Sequence, residues 1–168
     1  MKKNGMTLPE LLVALALIAV LVALTPAFTS MLDRLRLEST TRDLATAIRY
    51  ARTTAVVEQT GVTIKALEGD WGNGWVIFQD RYRSISRDNA EAILIKRKLG
   101  NRVQIKGNGS MARYIHFSAQ GFPKQKSGAF QAGSLVVCSP RIETQSSRLI
   151  LASGCLLYTS PSPRDRQK

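Results

Sequence analysis

Very few side chains in this sequence can do covalent or metal chemistry, and they do not converge. The one histidine, His116, alternates with Ile115 and Phe117 in a strand-like run, so it reads as a structural or surface residue of a sheet rather than a general base. With it, Cys138 and Cys155 are too few for a four-ligand zinc site unless carboxylates complete the set. No Ser-His-Asp order, glycine-rich phosphate loop or metal-ligand spacing is present in the sequence. The reading is a protein that is not an enzyme and takes no metal or cofactor. Trp71 and Trp75 flank Gly72-Asn73-Gly74, a tight-turn signal. Trp75 reads as core, and Trp71 as core with base stacking as its alternative.

The chemistry the sequence does offer is cationic. Twenty-four Lys and Arg stand against twelve Asp and Glu, a net charge of +12, which draws an extended polyanion such as nucleic acid or anionic lipid. Between Met31 and Gly154 the count is 19 against 10, so the excess belongs to the part of the chain that folds. It clusters at Lys96, Arg97 and Lys98 with Arg102 and Lys106, at Lys124 and Lys126, and at Arg141 with Arg148. Each phosphate such residues neutralise releases counterions. Any one of them alone reads as solvated surface charge.

The remaining group of interest is a carboxylate, Glu10, at the head of an apolar run. From Leu11 to Leu32 the sequence has 22 residues without a charge, and a helix needs about 20 to cross the hydrocarbon core. A secretory signal peptide would also begin with basic residues, here Lys2 and Lys3. However, Thr25-Pro26-Ala27-Phe28 is not an Ala-x-Ala cleavage site.

The elements that must position these groups follow from periodicity. Leu37, Leu44, Ile48, Ala51 and Ala55 fall on one face at three- and four-residue spacing, with Arg34, Arg36, Arg42, Arg49 and Arg52 on the others. One helix is expected over 6–58, with Pro26 as a kink and Gly61 as its stop. Short β-rich runs follow at 62–67, 75–79, 93–96, 103–106, 114–117, 134–138 and 149–151. The order predicts an α+β fold, a long N-terminal helix on a C-terminal antiparallel β domain. At 168 residues one such domain is the expectation.

Lys2-Lys3-Asn4-Gly5 followed by Met6-Thr7-Leu8-Pro9-Glu10-Leu11-Leu12 resembles the class III leader of type IV pilins and type II secretion pseudopilins. The resemblance implies cleavage between Gly5 and Met6 by the inner-membrane prepilin peptidase and N-methylation of Met6. Glu10 then becomes the fifth residue of the mature chain. An unpaired carboxylate in a lipid-like medium is costly, so Glu10 is expected to pair with a neighbouring subunit's terminal ammonium and set register in a fibre. Met6 departs from the more usual Phe.

Tyr50-Ala51-Arg52 with Ala45 and Ala55, Val62-Thr63-Ile64, Gly74-Trp75-Val76-Ile77-Phe78, Ile115-His116-Phe117-Ser118 with Gly121, and Leu135-Val136-Val137-Cys138 resemble the GspH/FimT family of minor pilins and pseudopilins. That match runs from Lys2 to about Gly154. It implies a leader over 1–5, a transmembrane helix over 6–30, its exported continuation over 31–60 and a β domain over 61–154. The helix is expected to pass once through a bacterial inner membrane, with the N-terminus cytoplasmic and the β domain periplasmic, before assembly with other pilin or pseudopilin subunits. The expected function is a minor pilin of a type IV pilus that binds DNA for uptake through its basic β domain, the clustered Lys124, Lys126, Arg141, Arg148, Lys96, Arg97 and Lys98 being the DNA-binding candidates. The alternative is a minor pseudopilin with a structural fibre-tip role in type II secretion.

From Cys155 to Asp165 the sequence CLLYTSPSPRD breaks the strand pattern and resembles the translation of a sequencing adapter. Residues 155–168 are therefore expected to be a non-native tail, which removes Cys155 as a disulfide partner for Cys138. Before it, Arg148 to Gly154 resembles the final strand and glycine that precede an Arg-x-Arg tail in FimT-like proteins.

Overall fold

The computed structural model of the chain describes residues 8–81, 84–85, 92–100, 103–139, 146–151 and 157–161, with side chains throughout except at 24–28, 30 and 157–161. Helix α1, Leu8–Val57, has 50 residues, about 75 Å at 1.5 Å per residue, and its backbone stays helical through Pro26. Among its described side chains, burial against the domain begins at Leu37. Leu37, Leu44, Ala45, Ile48, Ala51 and Ala55 are buried, together with Thr40 and Thr41, which is the face read from the spacing. The alanines let sheet residues approach closely, and Thr41 satisfies its buried hydroxyl by donating to Leu37 O at 2.7 Å.

Gly61 does not end the helix. The left-handed residue at its end is Gln59, at φ 50°, and Thr60 N donates to Ala55 O at 3.2 Å, the bond that closes a Schellman cap. Gln59 also donates from Nε2 to Val56 O at 2.7 Å. Gly61 is small for another reason: a Cβ there would stand 2.4 Å from Asp80 O.

The strands are β1 Val62–Ala66, β2 Gly74–Gln79, β3 Ile93–Lys98, β4 Gln104–Gly107, β5 Tyr114–Phe117, β6 Gly133–Cys138, β7 Ser146–Leu151 and β8 Leu157–Pro161. They form two four-stranded sheets, β3-β2-β1-β5 and β4-β6-β7-β8, antiparallel at every pairing. In the first sheet Ile77, Ile64 and Ile115 are in register. In the second, Leu135 faces Leu149 and Val137 faces Ile105. These side chains join the α1 face in one buried cluster, each contributing roughly 1.5–3 kcal/mol.

Two local expectations are corrected. Gly72-Asn73-Gly74 is not a two-residue hairpin, because β1 and β2 are joined by residues 67–73 in two 3-10 turns. Asp70 caps the second turn by accepting from Gly72 N at 2.8 Å, and this folds Trp71 inward. Gly74 then lies at φ 118°, where a Cβ would meet Arg97 O on β3 at 2.1 Å. The other correction concerns the C-terminal segment, whose break in the strand pattern does not keep it out of the sheet. Leu157–Pro161 pairs with β7 as an edge strand, since the open edge of β7 offers backbone partners to any extended neighbour.

Among the described residues no helix is long and apolar enough to cross a membrane.

Candidate functional site

The N-terminal part of α1 stands clear of the domain and is apolar. Leu8, Leu12, Val13, Leu17, Val20 and Leu21 are each 57–75% exposed, far more contiguous apolar surface than a free monomer carries without a partner. Glu10 lies exposed in the first turn of this helix, where the N-terminal end of the helix dipole favours a carboxylate. Gly5 and Met6 lie outside the described residues.

The basic candidates are not one patch. Lys96, Arg97 and Lys98 are exposed on the edge strand β3. Arg97 is engaged: its Nη2 donates to Asp43 Oδ2 at 2.6 Å, tying β3 to the helix, an exposed pair worth about 1 kcal/mol or less. Lys124 and Lys126 follow β5, at the opposite edge of the same sheet. Lys124 is half-buried and Lys126 exposed. Arg148 is exposed on β7, in the other sheet, and Arg141 lies outside the described residues. Two cations beside Lys126 escaped the clustering argument. Lys65 is a lone charge within the apolar β1, and Arg113 directly precedes β5. Strand alternation, which sends Lys65 away from Ile64 and Ala66, was the available signal.

His116 sits in a buried polar cluster. Thr63 Oγ1 donates to Asp80 Oδ2 at 2.8 Å, and its contact with His116 Nδ1 is also 2.8 Å. A hydroxyl has one proton, so Nδ1 carries the hydrogen and donates to Thr63. The Asp80 carboxylate further accepts from Ser84 N at 2.8 Å and Ile85 N at 3.0 Å. This cluster ties Ser84 and Ile85 to the sheet. The His116 ring is buried, only 2% exposed, although alternation with the core-facing Ile115 and Phe117 turns it to the sheet's other face. Among the described residues no group of three or more His, Cys, Asp or Glu could hold a metal ion.

Trp71 is no stacking platform. It is 1% exposed, and its Nε1 donates to Met111 O at 3.1 Å. Trp71→Phe keeps most of the ring but leaves that carbonyl unpaired. The expected cost is about 1–3 kcal/mol, read as a lower midpoint in urea unfolding; an unchanged midpoint rejects the role given to the bond.

Three comparisons bear on identity. The family described as type II transport protein GspH matches residues 40–154, and the prokaryotic N-terminal methylation motif matches residues 1–25. No curated protein matches the sequence significantly. The fold is similar to that of the Pseudomonas aeruginosa type IV minor pilin FimU in two crystal forms, both at 22% identity. One superposes with a TM-score of 0.60 over 79% of this chain and 92% of that one, the other with 0.57 over 76% and 94%. With a helix on two antiparallel sheets, a leader motif at its head and the family pattern across most of its length, the chain belongs to the GspH family of minor pilins and pseudopilins.

Proposed function

We propose that this family member is a minor subunit of a type IV pilus, held in a bacterial inner membrane by its N-terminal helix until it joins the fibre, and that its β domain contacts DNA. One observation carries the assembly role: the exposed apolar stalk of α1, which needs lipid before assembly and neighbouring helices after it. The 22 uncharged residues from Leu11 to Leu32 support a single crossing with the β domain on the outer side, and the methylation motif supports prepilin peptidase as the processing partner. The test is the N-terminus of the protein in sheared fibres. Mass spectrometry is expected to find N-methylated Met6 as the first residue; fibres containing an intact Met1 end would reject the reading.

The DNA contact is supported by the 19 to 10 excess of basic over acidic residues between Met31 and Gly154 and by the exposure of Lys96, Lys98, Lys126 and Arg148. A second reading, a pseudopilin of a type II secretion fibre, is favoured by the description of the matching family. It needs no nucleic acid. Neighbouring genes for a retractile pilus or for a secretion system separate the two.

A further inference from the structure

Strand register places Lys96, Val76, Lys65 and Tyr114 in one row across the sheet β3-β2-β1-β5. The adjacent row, Ile77, Ile64 and Ile115, is buried in the cluster that packs on α1. By alternation the Lys65 row faces the other way. Two residues along that same outward face lie Phe78, Thr63 and His116, which are buried. Asp80 accepts from Thr63 and gathers the Ser84 and Ile85 amides beside them, while Lys124 N, donating to His116 O at 2.9 Å, continues the sheet edge beyond β5. Half of the outward face is therefore covered and half open.

At the boundary is a groove of about 730 Å³ whose lining includes Lys65, Arg113, Lys126, Tyr114 and Glu68. Among the described residues its lining carries three cations and one carboxylate. Lys65 is held in place by donating from Nζ to Ile85 O at 3.0 Å, a neutral acceptor. Among the described residues none of Lys65, Arg113, Lys126 and Lys96 has a carboxylate partner. The half-buried Tyr114 lies between Arg113 and the Lys126 loop, whose Lys126 N donates to its hydroxyl at 3.3 Å.

We infer that this groove binds single-stranded nucleic acid, its phosphates meeting Lys65, Arg113 and Lys126 and a base stacking on Tyr114. The assignment rests on the DNA contact proposed above and gives it a place and a strandedness. Three strand spacings separate Lys96 from Tyr114, about 14 Å, so the row extends the positive track beyond the groove. A cationic channel with an aromatic ring on its floor suits unstacked bases. The bases of a duplex are already stacked and cannot reach such a ring.

The test uses the full chain in detergent micelles and a fluorescein-labelled oligothymidylate, followed by anisotropy as salt is raised. Arg113→Glu with Lys126→Glu is expected to weaken binding at least about tenfold. It should also make the log-log salt dependence shallower by about 1.4, at about 0.7 for each phosphate no longer neutralised. Tyr114→Leu is expected to weaken binding about fivefold or more with the salt slope unchanged, while Tyr114→Phe, which keeps the ring, retains it. Circular dichroism confirms that each variant folds. If the double variant binds normally and Arg148→Glu does not, the groove is overturned and the DNA reading stands. A chain that binds neither oligothymidylate nor duplex overturns both. Tighter binding of duplex with Tyr114→Leu neutral overturns the single-strand assignment, and so does equal displacement by polyglutamate.

Discussion

Replacing Glu10 with Gln is expected to leave the β domain folded while cutting the protein's incorporation into fibres at least about tenfold. Glu10 precedes Leu37, the first buried apolar residue of the helix, by 27 positions, about 40 Å of helix, so the domain core does not feel the change. In a fibre the carboxylate would be surrounded by apolar helices. Removing one member of a buried ion pair there costs about 3 kcal/mol or more, and each 1.4 kcal/mol or so is a factor of ten. The glutamine is nearly isosteric, so the loss isolates charge from shape. Immunoblots of sheared fibres against whole-cell protein measure it, and wild-type occupancy would refute the pairing. Gly5→Ala separates cleavage from register: uncut precursor should accumulate in the inner membrane before any question of packing arises.

The second large effect is on stability. Asp80→Ala is expected to destabilise the β domain by about 3–5 kcal/mol, because one carboxylate serves the Thr63 hydroxyl and the Ser84 and Ile85 amides. Hydrogen bonds to a charged group contribute about 1.5–3 kcal/mol each, and the orphaned donors would stay buried beside His116. In thermal unfolding the midpoint should fall by roughly 10 °C or more. Asp80→Asn retains one acceptor oxygen and should fall between. A loss under about 1 kcal/mol for the alanine variant would mean that Ser84 and Ile85 are held by other contacts.

Local periodicity was enough for the elements. The three- and four-residue spacing of Leu37, Leu44, Ile48, Ala51 and Ala55 marks the face that is buried. The β-branched runs locate seven strands, with Tyr114–Phe117 matching at both ends and the others displaced by one to three residues. Where these expectations failed, a contact distant in sequence had intervened. Gly72-Asn73-Gly74 is not a tight hairpin, because residues 67–73 form two 3-10 turns that bury Trp71 with its N–H on Met111 O, 40 residues away. Gly61 is glycine because the Asp80 carbonyl approaches it, not because the helix stops there.

The sequence by itself determined the class of protein: a leader-like head, an uncharged run with Glu10 at its edge, an amphipathic continuation and a basic, β-rich remainder with no convergent catalytic groups. These are short-range patterns, and backbone geometry translates them directly into helix and strand. Only the tertiary structure decided that β1 lies between β2 and β5, which aligns Lys65 with Lys96 and Tyr114 and separates both from Arg148. It also decided which half of the outward face is buried. That outcome depends on Thr63 meeting His116, 53 positions away, and long-range pairing of this kind follows from how strands share a buried face, a property no single run of residues encodes.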